Sequence, residues 1–225
     1  MIPANLTHIK KQISEYEKKY SRPEHSVSLL AASKKQSSDK IREAYSAGQR
    51  VFGENYLQEA LLKMQELSDL QIEWHFIGPI QSNKTKKIAQ HFDWVQSVDS
   101  IKIAERLNNQ RPSHLPPLNI CMEVNISDEA SKSGVTIADV HSLAAACKSF
   151  PRLKLRGLMT IPAPAANFAE ARKQFHRLYD VYQQLNAQNL QLDTLSMGMS
   201  DDFEAAIAEG STLVRIGTAI FGARS

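Results

Sequence analysis

The chain has 225 residues, 42% of them hydrophobic and 23% charged, with nine Gly, nine Pro and a formal net charge of +3. That balance suits a folded protein with a sizeable core and excludes extended disorder; the lysines are scattered and no arginine-rich arm occurs, so a nucleic-acid partner is not expected. No apolar run is long enough to span a bilayer, "MIPANLTHIKKQ" lacks the apolar core of a secretory signal, and Cys121 and Cys147 form no C-x-x-C pair, which together imply a reducing cytoplasm.

Leu6, Ile9, Ile13, Tyr16 and Tyr20 recur at helical spacing and predict an amphipathic N-terminal helix. Strand-like runs follow, rich in β-branched, aromatic and leucine residues: "VSLLAAS", "RVFGEN", "EWHFIG", "DWVQSVD", "LNICMEVNI", "LKLRGLMTI", "LDTLSMGMS" and "TLVRIGTAIFG". Helix-compatible segments separate them. "SSDKIREAYSAG" and "TIADVHSLAAACKSF" open on capping residues, and in "NFAEARKQFHRLYDVYQQLNAQ" Phe175, Leu178, Tyr179, Tyr182 and Leu185 follow the helical period. "NNQRPSHLPPL" reads as a connection inside one domain. Eight strands alternating with helices predict a parallel (β/α)8 barrel over residues 1–225, with an open doubly wound sheet as the fallback. The seven histidines show no zinc-ligand spacing, so no metal is expected.

A barrel of this kind places its chemistry at the C-terminal ends of the strands. The first strand runs into Lys34 and Lys35, and alternation sends them to opposite faces. Lys34 shares parity with Ser28, Leu30 and Ala32; Lys35 shares it with the more apolar Val27, Leu29 and Ala31, which suit the helix-facing side. Lys34 is therefore the inward lysine, able to act as an amine nucleophile towards a carbonyl. The bland reading of a bare Lys-Lys pair is a solvated strand end.

After the seventh strand, Gly198 and Ser200 begin a helix and offer donors to an anion, although Ser200, Asp201 and Asp202 equally suit a simple helix cap. In the eighth strand Arg215 has the opposite parity from Val214 and Ile216 and points inward, where it needs an acceptor; Gly217 and Thr218 follow at the mouth. A structural ion pair for Arg215 is the alternative. Closure sets the first strand beside the eighth, so Lys34, Arg215 and the donors of Ser200, Gly217 and Thr218 meet. An aldehyde, a ring acceptor and a phosphate on one ligand would satisfy them all, and pyridoxal 5'-phosphate is such a ligand.

The segments "LLAASK", "FGENYLQEA", "WHFIGPIQSNK", "VNISDEASKSG", "RGLMTIP", "LSMGMSDDFEAAI" and "VRIGTAIFG" resemble, in order and over essentially the whole chain, the pyridoxal-phosphate homeostasis protein family. The resemblance implies a barrel of the alanine racemase N-terminal domain type (fold-type III), with an extra N-terminal helix and pyridoxal 5'-phosphate held as an aldimine on Lys34. By the same motifs, Arg215 faces the pyridine nitrogen and Ser200, Gly217 and Thr218 hold the phosphate. Asn55, Met159 and Ser196 are pocket residues; Lys84 and Lys132 are motif lysines without an assigned role. The family pattern has a residue other than Lys, often Thr, after the Schiff-base lysine, where this chain has Lys35.

Racemases of this type use acid–base groups on both faces of the cofactor, the second from an additional domain. The chain ends directly after its eighth predicted strand, so no such domain and no catalytic residue are expected. The expectation is a monomeric cytoplasmic protein that buffers pyridoxal phosphate or delivers it to apo-enzymes. The alternatives are a weak racemase-like enzyme and a cofactor-free Schiff-base aldolase. His75, Glu54 and Asn83 have bland readings: a hydrogen-bonded histidine near the mouth, a carboxylate partner for Arg215 or a lysine, and a helix opening.

Overall fold

A computed structural model of the chain describes residues 1–127 and 133–222. Helix α1 (Ile2–Lys19) precedes β1 (Ser28–Ala32), α2 (Ser38–Ser46), β2 (Val51–Glu54), α3 (Leu57–Glu66), β3 (Glu73–Phe76), α4 (Thr85–His91), β4 (Trp94–Val98) and α5 (Ile101–Gln110). The second half continues through β5 (Leu118–Asn125), β6 (Val135–Thr136), α6 (Val140–Cys147), β7 (Leu153–Met159), α7 (Phe168–Ala187), β8 (Thr194–Ser196), α8 (Phe203–Ala208), β9 (Leu213–Ile216) and α9 (Thr218–Phe221).

Strands β1 to β5 pair in order, β5 pairs with β7, β7 with β8, β8 with β9, and β9 returns to β1, every pair parallel. The ring is thus a closed eight-stranded barrel, built from the eight expected runs in the expected order. Strand β6 was not foreseen; it pairs with the outer end of β5, Val124 with Val135, and stands outside the ring. Two predicted strands end early. The chain leaves the sheet at Ser196, before Gly198 at φ +97°, and at Ile216, after which "TAIF" is helical.

Alternation partitions the strands between two environments. Leu29, Ala31, Phe52, Val95, Ile120, Met122, Leu158, Leu195, Val214 and Ile216 belong to the main core between ring and helices. Leu30, Ile77 and Leu213 pack inside the barrel, as do Trp94, Cys121 and Met159. Local caps agree with the sequence signals: Ser37 accepts from Lys40 N, Ser100 from Ile103 N and Asn167 from Glu170 N. Helix α1 buries Ile2, Leu6, Ile9 and Ile13 and packs against α2, α8 and α9. It covers the flank that the four-residue α9 is too short to cover. Asn5 Nδ2 donates to Ile220 O at 2.9 Å, tying it to α9. Among the described residues no helix is long and apolar enough to cross a membrane.

Gly157 lets β7 lie close against β8: a Cβ there would sit 1.7 Å from the backbone oxygen of Thr194. Backbone cannot give way as a side chain can, so Gly157→Ala should lower stability by about 3 kcal/mol or more, read as a lower urea midpoint.

Candidate functional site

At the C-terminal ends of the strands a cavity of about 230 Å³ opens, with Lys34, Asn55, Ser200, Arg215, Gly217 and Thr218 in its wall and Ala32, Ile77, Ile161 and Met199 as its apolar surfaces. Six expected residues therefore meet in one place. Met159 and Ser196 are not among the lining residues. Both are wholly buried, Met159 against Trp94 and Cys121 and Ser196 against Arg215. Lys84 stands at the N-cap of α4, away from the cavity wall, and Lys132 lies outside the described residues.

Lys34 follows β1 in a turn closed by Gln36 N donating to Ser33 O at 3.0 Å. Lys34 is half-buried and lines the cavity, whereas Lys35 is exposed, adopts φ +59° and does not line it. Lys35 N donates to Glu59 Oε1 at 2.6 Å. Behind the turn lies a buried charge cluster. Lys63 Nζ donates to Ser33 O at 2.8 Å, Glu54 Oε1 at 2.7 Å and Glu59 Oε1 at 2.5 Å, and Ser33 Oγ donates to Glu54 Oε1 at 2.6 Å. Burial pushes the Glu54 carboxyl up, and the Lys63 charge opposes that rise. Glu54 is thus partnered by a lysine, neither Lys34 nor Lys35 but one from α3. Lys63 went unrecognised in the sequence, although it shares the buried face of α3 with Leu57 and Ala60.

Arg215 on β9 is 4% exposed, and its charge is met by neutral oxygens. Nη1 donates to Ser196 Oγ at 2.6 Å and Nη2 to Thr160 O at 2.8 Å. Burial lowers the guanidinium to about 10, against the pull of Asp202 and Glu123, so it stays cationic at neutral pH. Asp202 does not cap α8 with its side chain; its Oδ1 accepts from Met199 N at 2.6 Å, closing the turn that carries Ser200. That turn requires Gly198, whose φ of +97° disfavours any side chain, and a Cβ there would meet Ala206 Cβ at 2.6 Å. Thr218 opens α9, so its N–H precedes any intrahelical bond.

The donor set suits a ligand with an aldehyde, a flat ring and a phosphate. A primary amine, a guanidinium, hydroxyls with backbone N–H groups, and apolar walls share one cavity. Asn55 Oδ1 is buried without a hydrogen-bond partner among the described residues, leaving an acceptor for a ligand donor. These residues fit pyridoxal 5'-phosphate. His75, expected near the mouth, lies inside the barrel at 1% exposure, hydrogen-bonded to Glu73 and Gln96, and does not line the cavity.

Two changes test this electrostatic arrangement. Lys63→Met leaves a buried carboxylate unpaired and should cost about 3–5 kcal/mol, while Lys63→Met with Glu54→Leu should recover much of that loss in urea unfolding. Glu123 on β5 is pushed up to about 7 from 4.5, by burial first and by the Asp99 charge second. Between those values the folded chain holds a proton that the unfolded chain releases, so this group's contribution to stability falls as pH rises from about 4.5 to 7. Glu123→Gln should therefore be the more stable protein at pH 8, by up to about 3 kcal/mol, and close to the parent at pH 4.5.

Comparison with known proteins agrees with this geometry. The profile of the family "Alanine racemase, N-terminal domain" matches residues 4–225. A protein from Pseudomonas aeruginosa, called pyridoxal phosphate homeostasis protein, is 57% identical over 223 residues, covering 99% of this chain and 96% of its own. The Escherichia coli K12 protein of that name is 50% identical over 226 residues, covering 99% and 97%. Among solved structures, PipY of Synechococcus elongatus with pyridoxal phosphate bound is 37% identical, with a TM-score of 0.86 and coverage of 99% and 100%. Alanine racemase from Corynebacterium glutamicum, at 18% identity and a TM-score of 0.71, shares the fold, and the match covers 99% of this chain and 61% of that one. A barrel closed in this way, carrying this mouth and related over nearly its whole length to these proteins, belongs to the alanine racemase N-terminal domain family and, within it, to the pyridoxal phosphate homeostasis proteins.

Proposed function

We propose that this chain binds pyridoxal 5'-phosphate in the mouth cavity, holds it reversibly on Lys34 and serves as a cytoplasmic reservoir that passes it to apo-enzymes, without strong catalysis of its own. The observation that carries this reading is the meeting of Lys34, Arg215, Ser200, Gly217 and Thr218 around one cavity. When bound, the cofactor supplies an aldehyde that condenses reversibly with a primary amine, and an electron-withdrawing ring. Lys34 supplies the amine. Arg215 can only donate, so it favours an unprotonated ring nitrogen and weakens the ring as an electron sink. The Ser200 and Thr218 hydroxyls and the backbone at Gly217 would take the phosphate, and Ile77, Ile161 and Met199, which line the same cavity, would flank the ring.

The ionisable groups among the described lining residues support holding rather than turnover. They are Lys34, Asp201 and Arg215. Lys34 would be engaged by the aldehyde, Arg215 would be a fixed donor, and Asp201 is exposed. Racemisation needs a proton-transfer group on each face of the substrate, and this set supplies no second buried one. Cys121 and Cys147 are buried, and burial raises each thiol to about 12, which gives neither a nucleophilic role.

The absorption spectrum of purified protein titrated with pyridoxal 5'-phosphate tests this. The parent should develop a visible band that borohydride bleaches and fixes to Lys34, and Lys34→Ala should lose it. A band unchanged in Lys34→Ala would reject that lysine, and a parent without any band would reject the reading. Incubation of the loaded protein with amino acids in D2O should leave the Cα hydrogen in place; rapid exchange would make it an enzyme.

A further inference from the structure

Below the cavity, the barrel lumen holds a chain of polar side chains from four strands. Arg215 Nη1 on β9 donates to Ser196 Oγ on β8 at 2.6 Å, and Ser196 Oγ donates to Gln96 Oε1 on β4 at 2.5 Å. Gln96 Nε2 meets His75 Nδ1 on β3 at 2.8 Å, and His75 Nε2 meets Glu73 Oε1 at 2.8 Å. Gln96 and Ser196 are 0% exposed and His75 1%, so water does not substitute for a missing partner. The chain crosses the lumen, since β4 and β8 are not neighbours in the ring.

Its polarity has one solution. The Glu73 carboxylate, held low by its bond to His75, only accepts, so His75 Nε2 carries the proton. Burial holds His75 neutral against the charges of Glu73 and Asp93, so Nδ1 bears a lone pair. Gln96 must then turn its NH2 towards His75 and its carbonyl towards Ser196. The single Ser196 proton goes to that carbonyl, and a Ser196 lone pair is left to receive Arg215. All four hydrogen bonds point from the guanidinium to the carboxylate.

We propose that His75 is a positioning residue for the cofactor site: through Gln96 and Ser196 it fixes Arg215, and so sets the N–H that the guanidinium presents to the ring acceptor. This rests on the reading that Arg215 meets the cofactor ring. Were Nδ1 to become a donor, Gln96 would have to flip. Its NH2 would then compete with Arg215 for Ser196 Oγ, and the Ser196 proton would lose its acceptor. Such a site binds well only while the imidazole stays neutral. Its surroundings favour that state: Gly53 pairs beside it on β2, the Trp94 ring stacks on it at 5.0 Å and 8°, and Arg156 lies over the same indole at 4.6 Å. Glu73 and Asp93 are the opposing charges.

Two substitutions separate positioning from packing. His75→Phe keeps a ring against Trp94 but removes the acceptor; His75→Asn keeps a carbonyl near Nδ1 but gives up the stack. His75→Phe should weaken pyridoxal 5'-phosphate binding about tenfold and move the absorption maximum of the bound cofactor, with His75→Asn within about threefold of the parent. Gln96→Met should behave like His75→Phe and serves if that variant fails to fold. A parent-like affinity and maximum in both His75→Phe and Gln96→Met would overturn the proposal, as would losses that follow thermal stability alone.

The cofactor-free protein gives an independent readout. The 15N signals of the Arg215 guanidinium should shift in His75→Phe, and His75 in the parent should show a bare Nδ1 and a protonated Nε2. An unmoved guanidinium overturns the positioning role whether or not cofactor binds. A moved guanidinium in a protein that takes no cofactor sustains it and rejects the proposed function.

Discussion

Four residue pairs, from Ser28 with Leu213 to Ala31 with Ile216, join the first strand to the last and close the ring. Every functional feature of the mouth depends on this pairing. It sets Leu30 beside Arg215, both facing the lumen, and it lets the turn after β1 approach the start of α9. In an open sheet β1 and β9 would lie at opposite edges, and a lysine near residue 34 would never meet donors near residue 217. Closure also removes two unpaired strand edges, which would otherwise invite association. The long α1 supports the seam from outside by burying its apolar face against α2, α8 and α9.

Among the described residues Lys63, Arg111 and Arg215 are buried cations, and the two nearest the mouth, Lys63 and Arg215, are treated differently. Lys63 sits between strand and helix layers, neutralised by Glu54 and Glu59, and its third bond goes to the carbonyl of Ser33 beside the Lys34 turn. A charge so matched is structural: it can hold backbone in place, and little of its field is left over. Arg215 is bonded to a hydroxyl and a carbonyl, while Asp202 and Glu123 act on it at longer range. Neutral acceptors satisfy its N–H groups without cancelling its charge, so the field reaches the cavity. Removing water from a cation in this way is costly; Arg111, bonded only to carbonyls, lies away from the cavity lining, so it is the place of Arg215 in the cavity wall that points to a ligand.

Much of the fold and half of the logic of the site were legible in one dimension. Alternation distinguished Lys34 from Lys35, because the apolar Leu29 and Ala31 must face the helices and Leu30 the lumen. Alternation itself stops short of the lysines, since β1 ends at Ala32 and both lie in a turn where Lys35 adopts φ +59°. Parity correctly turned Arg215 inward, yet not its partners: Ser196 and Gln96 are 100 residues apart in sequence and 2.5 Å apart in space. The family motifs assign Met159 and Ser196 to the pocket; both are wholly buried and neither is among the residues that line the cavity, and burial depth is not written in a motif. Strand β6 was missed because two residues carry no measurable periodicity.

Periodicity and strand-end chemistry are local properties of the chain. They determined the eight strands, the helix-facing and lumen-facing sets, and the lysine, arginine and hydroxyl groups available at the mouth. Which of those groups share a cavity, how deep each lies, and which neutral or charged partner each receives depend on contacts between distant strands. Only closure of the ring decided them, because the field at Arg215, the turn at Lys34 and the neutral state of His75 each arise from groups that are remote in sequence and are excluded from water together.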